Sequence, residues 1–385
     1  VSAPRAHRVL FVTHAYPRQP GDVAGVFLHR LARALLVRGH EVRVVAPASP
    51  GFPAEDQLAG VSIVRYRYAS EPRETLAYTG TMAEQALGSL AGFTALLGLI
   101  RSGAHAVRRE VHRWSPSVIH AHWWFPAALQ VRMARVRTPT VATLHGSDVR
   151  LAHRNPVARW LARRALAGVR TTTVSEWLGA ASPVPPVAIA PMPLDDEIFR
   201  AADGEAPRTP GRVVFAGRLN AQKGILPLLE AMASQSPAAS LEVFGEGPFR
   251  AEAVARVAAL GLTARVRFHG TVAPARLAEA FRGAHVVAIP SVEEGLGLVA
   301  AEAILCGAHV VGYRSGGLPD VVEPAAGTLV PPSRAGALAD ALRDRLDVAP
   351  MTVDAAVRAR LADRLSPSAV AARYEGLYNT AVTDA

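Results

Sequence analysis

The stretch from Ser291 to Asp320 reads SVEEGLGLVAAEAILCGAHVVGYRSGGLPD. Directly before it runs VVAIP, Val286 to Pro290, a β-branched apolar run stopped by proline, as expected of a strand buried on both faces of a parallel sheet. Glu294 then falls on the loop beyond that strand, where Gly295 and Gly297 let the chain turn and bring backbone amides against a bulky anion. A helix opening near Gly297 offers the amides of Leu298 and Val299 first. Glu302 follows about five residues into that helix, roughly 7 Å further along at about 1.5 Å per residue, which is the reach from a phosphate to a ribose. A carboxylate accepting bonds from two hydroxyls suits a ribose diol, each charge-assisted bond being worth about 1.5–3 kcal/mol. Two glutamates alone would sit equally well on a solvated helix face. The strand and glycines beside them point instead to a nucleotide-sugar site.

Working outward, the second informative stretch is FAGRLNAQKG, Phe215 to Gly224. Of the 42 basic residues only Lys223 is a lysine, and it stands here, after the strand-like RVVFA and a glycine turn. Arg218 and Lys223 place a planar fork and a compact point charge where a pyrophosphate would land.

At 385 residues, half of them apolar, the chain is long enough for two domains with large cores. The single cysteine, Cys306, forms no internal disulfide and reads as a packed thiol in a reducing compartment, so a cytoplasmic protein is expected. Val1 to His7 is short and lacks an apolar core, so it does not read as a signal peptide. The net charge of +10 is uneven: residues 1–193 carry 23 Arg against 10 acidic residues, and residues 194–385 carry 19 basic against 22 acidic. A basic first half suggests an anionic partner, such as a phospholipid surface or a pyrophosphate-linked lipid. An arginine-rich composition accounts for the excess equally well. Nucleic acid is not expected, since no zinc-finger spacing, lysine-rich tail or RNA motif occurs.

Strand-like runs alternate with helical patterns throughout, which is the signature of parallel α/β architecture. The first half holds RVLFVT, VRVVA, VSIVRY, SVIHAH and TVATL; the second holds RVVFA, LEVFG, VRFHG, VVAIP, HVVGY and GTLVP. Two Rossmann-like domains follow, over residues 1–193 and 194–365, with a prolyl boundary in PMPLDDEIF. Residues 366–385 read as a final helix begun by Ser366 and Pro367 and packing back on the first domain. The uncharged stretch QALGSLAGFTALLGLI, residues 85–100, is too short to span a bilayer and suits a buried helix or a membrane-surface contact, with Arg101, Arg108, Arg109 and Arg113 beyond it.

Together these pieces resemble the retaining glycosyltransferases of family 4, over nearly the whole chain. The resemblance rests first on EGLGLVAAE, with its two glutamates, and then on GRLNAQKG. It implies the GT-B fold, two Rossmann-like parallel-sheet domains facing a central cleft, with the acceptor on the first domain and the nucleotide-sugar donor on the second. It assigns Glu294 to the donor sugar, Glu302 to the ribose, and Arg218 and Lys223 to the diphosphate. In the first domain, AYPRQPGDVAGVFLHRLARALLVRGHEV is similar to the family's glycine loop and helix, which places Gly21 and Gly25 in that loop. The family usually shows two adjacent glycines there, whereas this chain has Ala24 and Gly25. TLHGSDV puts His145 beside the donor sugar, leaves Asp148 either holding the turn or meeting the acceptor, and TVSEWL sets Ser175 and Glu176 nearby by analogy. The family's Phe-Ser-Trp entry to the last helix is here Leu365, Ser366, Pro367.

The expected chemistry is sugar transfer from a nucleotide diphosphate, UDP by default, to a hydroxyl acceptor with retention of configuration. No Asp-x-Asp motif occurs, so the cations and helix amides are expected to replace a divalent metal, and no cofactor is implied beyond the nucleotide sugar as co-substrate. His120 and His122 in HAHWW share a strand face but lack further ligand spacing, so they read as packing rather than zinc ligands. Trp123 and Trp124 are candidates for stacking on the acceptor, with core packing the equal alternative. A lipid-linked or anionic acceptor fits the basic, apolar first half better than a soluble natural product. A nucleotide-sugar epimerase or hydrolase, and a silent nucleotide-sugar-binding subunit, are the rivals on the same fold.

Overall fold

The computed structural model describes residues 6–78, 82–202 and 208–384, so most of the Val1 to His7 stretch lies outside the described residues. The chain divides into two compact units, Val1–Pro193 with Pro367–Ala385, and Leu194–Ser366.

The first unit is built on β1 (Arg8–Val12), β2 (Glu41–Pro47), β3 (Glu55–Leu58), β4 (Val61–Tyr66), β5 (Val118–His122), β6 (Thr140–Leu144), β7 (Arg170–Thr173) and β8 (Ala188–Ile189). They form one sheet in the order β3-β4-β2-β1-β5-β6-β7-β8, parallel except for the β3–β4 pair. The five apolar runs read from sequence are strands here; β3, β7 and β8 escape such reading because EDQL and RTTT are polar and β8 has only two residues. β1 pairs with both β2 and β5, so strand order reverses there and the carboxyl ends of β1 and β5 flank a crevice.

Helix Val26–Val37 buries Leu28, Leu31, Ala32 and Leu35, an i, i+3, i+4, i+7 stripe that meets the sheet. Helix Pro367–Thr383 joins the same core through Val370, Ala371, Tyr374, Tyr378 and Ala381. It is tied there by Arg38 to Glu375, by the Tyr378 hydroxyl 2.7 Å from His120 Nδ1, and by the Tyr374 hydroxyl 2.9 Å from Thr143 Oγ1.

The apolar stretch 85–100 is not one helix. It breaks at Gly88 and Ser89, between helices Met82–Leu87 and Leu90–Trp114, and the Ser89 hydroxyl caps the second by accepting from the Gly92 amide. Helix Leu90–Trp114 is long and apolar enough to cross a membrane by length and composition alone. It lies instead against its own unit, burying Ala95, Leu99, Ile100, Gly103, Ala106 and Val107. At Gly98 a β-carbon would stand 2.1 Å from the Tyr68 carbonyl oxygen, so the helix and the segment just after β4 touch backbone to backbone. Its outward face begins with Leu90, Phe93 and Leu97 and continues as Arg101, His105, Arg108, Arg109, His112 and Arg113.

The second unit carries β9 (Arg212–Ala216), β10 (Ser240–Phe244), β11 (Val266–Gly270), β12 (Val286–Ile289), β13 (His309–Tyr313) and β14 (Gly327–Val330). All six runs read from sequence are strands, parallel throughout, in the order β11-β10-β9-β12-β13-β14. The order reverses between β9 and β12, and the loops leaving their carboxyl ends are those that hold Lys223 and Glu294. Cys306 is buried beyond helix Leu298–Leu305, and burial pushes its thiol up to about 12, so it packs as an inert side chain.

Candidate functional site

In the second unit the two loops at the reversal point are stitched together. After β9 the Asn220 side chain accepts from the Lys223 amide at 3.0 Å and caps the short turn Ala221–Lys223. Gly224 then adopts φ +71°, and a β-carbon there would lie 2.1 Å from the Pro290 carbonyl oxygen, so only glycine lets this loop lie against the end of β12. The Val292 amide donates to the Gln222 carbonyl at 2.8 Å, and the Gln222 side chain donates to the Glu293 carbonyl at 3.2 Å. From β13, Ser315 accepts from the Glu293 amide at 2.9 Å and the Gly317 amide donates to the Glu294 carbonyl at 2.8 Å.

Sequence reasoning missed this supporting set. The Asn220-to-Lys223 spacing and the SGG of Ser315 to Gly317 were its signals, but the contacts join segments about 70 and 22 residues apart, beyond any local pattern.

The outcome is a close ion pair: Lys223 Nζ lies 2.6 Å from Glu294 Oε2, with side chains 22% and 15% exposed. The candidate phosphate cation and the candidate sugar carboxylate therefore hold one another. Arg218 is partly buried on the same loop and meets no carboxylate among the described residues. Gly297, at φ +94°, caps helix Leu298–Leu305 without any side-chain cap. The amides of the first turn, Leu298 and Val299 included, have no intrahelical acceptor, which leaves a positive helix end beside Glu294 in sequence. Glu302 is the fifth residue of this helix and is partly buried.

The first unit gathers its candidates around the carboxyl ends of β1, β5 and β6. Gly25, at φ +68°, opens helix Val26–Val37, and a β-carbon would fall 2.3 Å from the Ala15 carbonyl oxygen; Gly21, at φ +84°, has open space around it. Asp22 orders the loop between them, accepting from Arg18 Nε at 2.6 Å and from the Ala24 amide at 3.1 Å, and these bonds hold its carboxyl below the usual range despite partial burial.

His145 stands at the end of β6 with its ring on Trp123, centroids 4.4 Å apart, and its Nε2 3.3 Å from His122 Nδ1. Burial depresses both imidazoles well below their ordinary value, so the pair is neutral. His120 is bonded on both ring nitrogens, to Tyr378 and to Thr143 at 2.8 Å, and serves packing. Among the described residues no group of three or more His, Cys, Asp or Glu is arranged to hold a metal ion.

Two candidates are corrected. Trp124 is 1% exposed and its indole donates to the Asp148 carbonyl at 2.7 Å, so it is core and offers no face to an acceptor. Asp148 is buried, and its carboxylate accepts from the amides of Trp124, His145, Gly146 and Val149 at 3.0–3.2 Å, so it holds the turn from within the core. Trp123 is buried too, edge-on to His14 and Phe27 as well as against His145, and acts as the support of that imidazole. Ser175 is likewise structural, capping helix Glu176–Ala181 from within the core.

Comparison with known proteins gives a consistent picture. Residues 197–361 match the family Glycosyl transferases group 1, and residues 24–181 match Glycosyltransferase Family 4. The chain is 30% identical to 2-deoxystreptamine glucosyltransferase of Streptomyces kanamyceticus over 83% of its own length and 88% of that protein's. It is 31% identical to D-inositol 3-phosphate glycosyltransferase of Rhodococcus opacus, over 82% and 77% respectively. Among solved structures, sucrose-phosphate synthase of Thermosynechococcus elongatus superposes with a TM-score of 0.80 at 23% identity, covering 98% of this chain and 100% of that one. Anabaena HepE, solved with UDP and glucose, superposes at 0.74 with 18% identity, covering 97% and 100%. The fold is GT-B.

Proposed function

Because the chain belongs to glycosyltransferase family 4, and is therefore a glycosyltransferase, we propose that it moves a sugar from a nucleotide diphosphate, UDP by default, to a hydroxyl acceptor with retention of configuration. The observation that carries this is the Lys223–Glu294 ion pair at the strand-order reversal of the second unit, beside Arg218 and the uncapped helix start at Gly297. HepE has been solved with UDP and with UDP-glucose, which supports the choice of base.

In this scheme the donor's diphosphate takes Lys223 from Glu294 and draws on Arg218 and the amides of Leu298 and Val299. Glu294, released, accepts from hydroxyls of the donor sugar, and Glu302 accepts from the ribose diol. Charge grows on the diphosphate as the anomeric bond breaks, and two cations and a helix end stabilise it where they already stand, so no divalent metal is required. The acceptor oxygen bonds to the anomeric carbon on the face the phosphate leaves, and its proton passes to a departing phosphate oxygen. His145, a neutral imidazole, is retained as the contact to the donor sugar that the family resemblance implies.

We further propose an anionic or lipid-linked acceptor and a cytoplasmic enzyme resting on the inner membrane face. The outward face of helix Leu90–Trp114 supports this with three apolar residues followed by a cationic run. A soluble acceptor is the second reading, favoured by the similarity to 2-deoxystreptamine glucosyltransferase.

The test is calorimetry of UDP, GDP and ADP and of their sugar conjugates, with EDTA present and Glu302→Ala as control. Selective binding of one nucleoside diphosphate without metal, weakened in the variant, is expected. No binding by any of them overturns the donor assignment.

A further inference from the structure

Arg65 carries a charge inside the first unit that has no counter-ion among the described residues. It stands near the carboxyl end of β4 and is 2% exposed. Its Nη2 donates to the Pro17 carbonyl at 2.8 Å and its Nη1 to the Tyr78 hydroxyl at 3.1 Å, both neutral acceptors, while its Nε is buried with no partner. Among the described residues no carboxylate forms an ion pair with it. Elsewhere in this unit buried carboxylates are each given an arginine: Glu110 has Arg43 at 2.9 Å, Glu74 has Arg67 at 2.6 Å, and Glu375 has Arg38.

A second guanidinium also meets Tyr78, at its ring instead of its hydroxyl. Arg18, on the loop after β1, lies 5.0 Å over that ring and 5.8 Å over Phe52, and its side chain is 32% exposed. Tyr78 is held at φ +69° and donates its hydroxyl to the Pro47 carbonyl at 2.7 Å, at the end of β2. The ends of β1, β2 and β4 thus converge on one cluster. Asp22 neutralises Arg18, so among the described residues two cations and one carboxylate leave a single positive charge, and it resides on the residue withdrawn from water. Burying a charge with only neutral partners costs several kcal/mol, and an anion arriving at the partly exposed Arg18 guanidinium recovers part of that cost.

We propose that Arg18 and Arg65 form an anion subsite of the first unit that takes a phosphate monoester, Arg18 by direct contact and Arg65 as the buried charge behind it. Assigning that phosphate to the acceptor rests on the glycosyl-transfer reading; the anion site itself does not. The ester is carried either by a small soluble molecule or by a lipid headgroup.

The test uses the full chain with Arg218→Met and Lys223→Met, which removes the candidate diphosphate site. Inorganic phosphate is titrated and followed by ³¹P line broadening. Saturable binding is expected, weakened at least about tenfold by Arg18→Met and by Arg65→Met and unaffected by Arg135→Met, an exposed arginine elsewhere on the unit. Equal binding in the Arg18 and Arg65 variants, or an equal loss in the Arg135 control, overturns the proposal. Should Arg65→Met fail to fold, Arg18→Met alone decides. UDP calorimetry on the chain with Arg218 and Lys223 intact is read separately, so loss of UDP binding strikes the donor reading and loss of phosphate binding strikes this one. Vesicles of phosphatidylcholine with and without phosphatidic acid separate the two sources. Binding that needs phosphatidic acid and Arg18, and that inorganic phosphate displaces, identifies a headgroup; phosphate binding without vesicle binding identifies a soluble ester.

Discussion

Replacing Glu294 by glutamine removes a carboxylate that pairs with Lys223 at 2.6 Å, and it should affect nucleotide affinity and turnover in opposite directions. In the wild-type chain a diphosphate must first part Lys223 from Glu294. It therefore regains at Lys223 only the difference between two charge-assisted bonds, each worth about 1.5–3 kcal/mol. Glu294→Gln keeps the shape and cancels the charge, so Lys223 becomes wholly available and the repulsion between carboxylate and diphosphate disappears. UDP should then bind more tightly, by up to about tenfold, which corresponds to about 1.4 kcal/mol. Lys223→Met should weaken UDP by up to about tenfold in the wild-type background, since two such bonds differ by at most about 1.5 kcal/mol, and by about 10- to 150-fold in the Glu294→Gln background, where a whole bond of about 1.5–3 kcal/mol is lost. In the double variant the two changes should fail to add by about 0.5–3 kcal/mol, as for residues in direct contact. Calorimetry of UDP on the four proteins gives this cycle, and single-turnover transfer gives the other half: Glu294→Gln should lose turnover while holding UDP better. If Glu294→Gln weakens UDP as much as Lys223→Met does, the two residues are one structural unit and the displacement scheme is wrong.

Gly25→Ala should destabilise the first unit by more than the roughly 1–2 kcal/mol of a left-handed backbone, because its β-carbon would meet the Ala15 carbonyl; Gly21→Ala, with open space, should show the backbone cost alone, and urea midpoints measure both. Burial lowers His14 to about 4 and His120 to about 3, and takes His122 and His145 well below the ordinary value near 6.5. Protons therefore favour the unfolded chain: this stability is complete above about pH 6.5 and is lost as pH falls toward 4. Urea midpoints that stay flat from pH 7 to 4.5 would contradict the buried neutral cluster. Changing Arg108, Arg109 and Arg113 to alanine, or Leu90, Phe93 and Leu97 to serine, should each reduce sedimentation with anionic vesicles; binding equal to wild type would remove the membrane from the proposal.

Much of this protein is legible from local pattern. Buried parallel strands such as VVAIP and RVVFA are continuous β-branched runs bounded by glycine or proline, and a left-handed helix start such as Gly297 admits little else, so both leave marks in sequence. The polar strand EDQL and the two-residue β8 leave none, since an edge strand needs only a neighbour to bond to. What the sequence by itself determined is the alternation of strands and helices, the placement of Glu294, Glu302, Arg218 and Lys223 on loops and a helix start, and the family. What only the tertiary structure decided is which side chains are already taken. Asp148 spends its oxygens on four amides, Trp124 is sealed in the core, Glu294 holds Lys223, and Arg65 is enclosed without a counter-ion among the described residues. Those outcomes depend on partners that the fold brings together from distant strands, because hydrogen bonds and charges are satisfied in space and not along the chain.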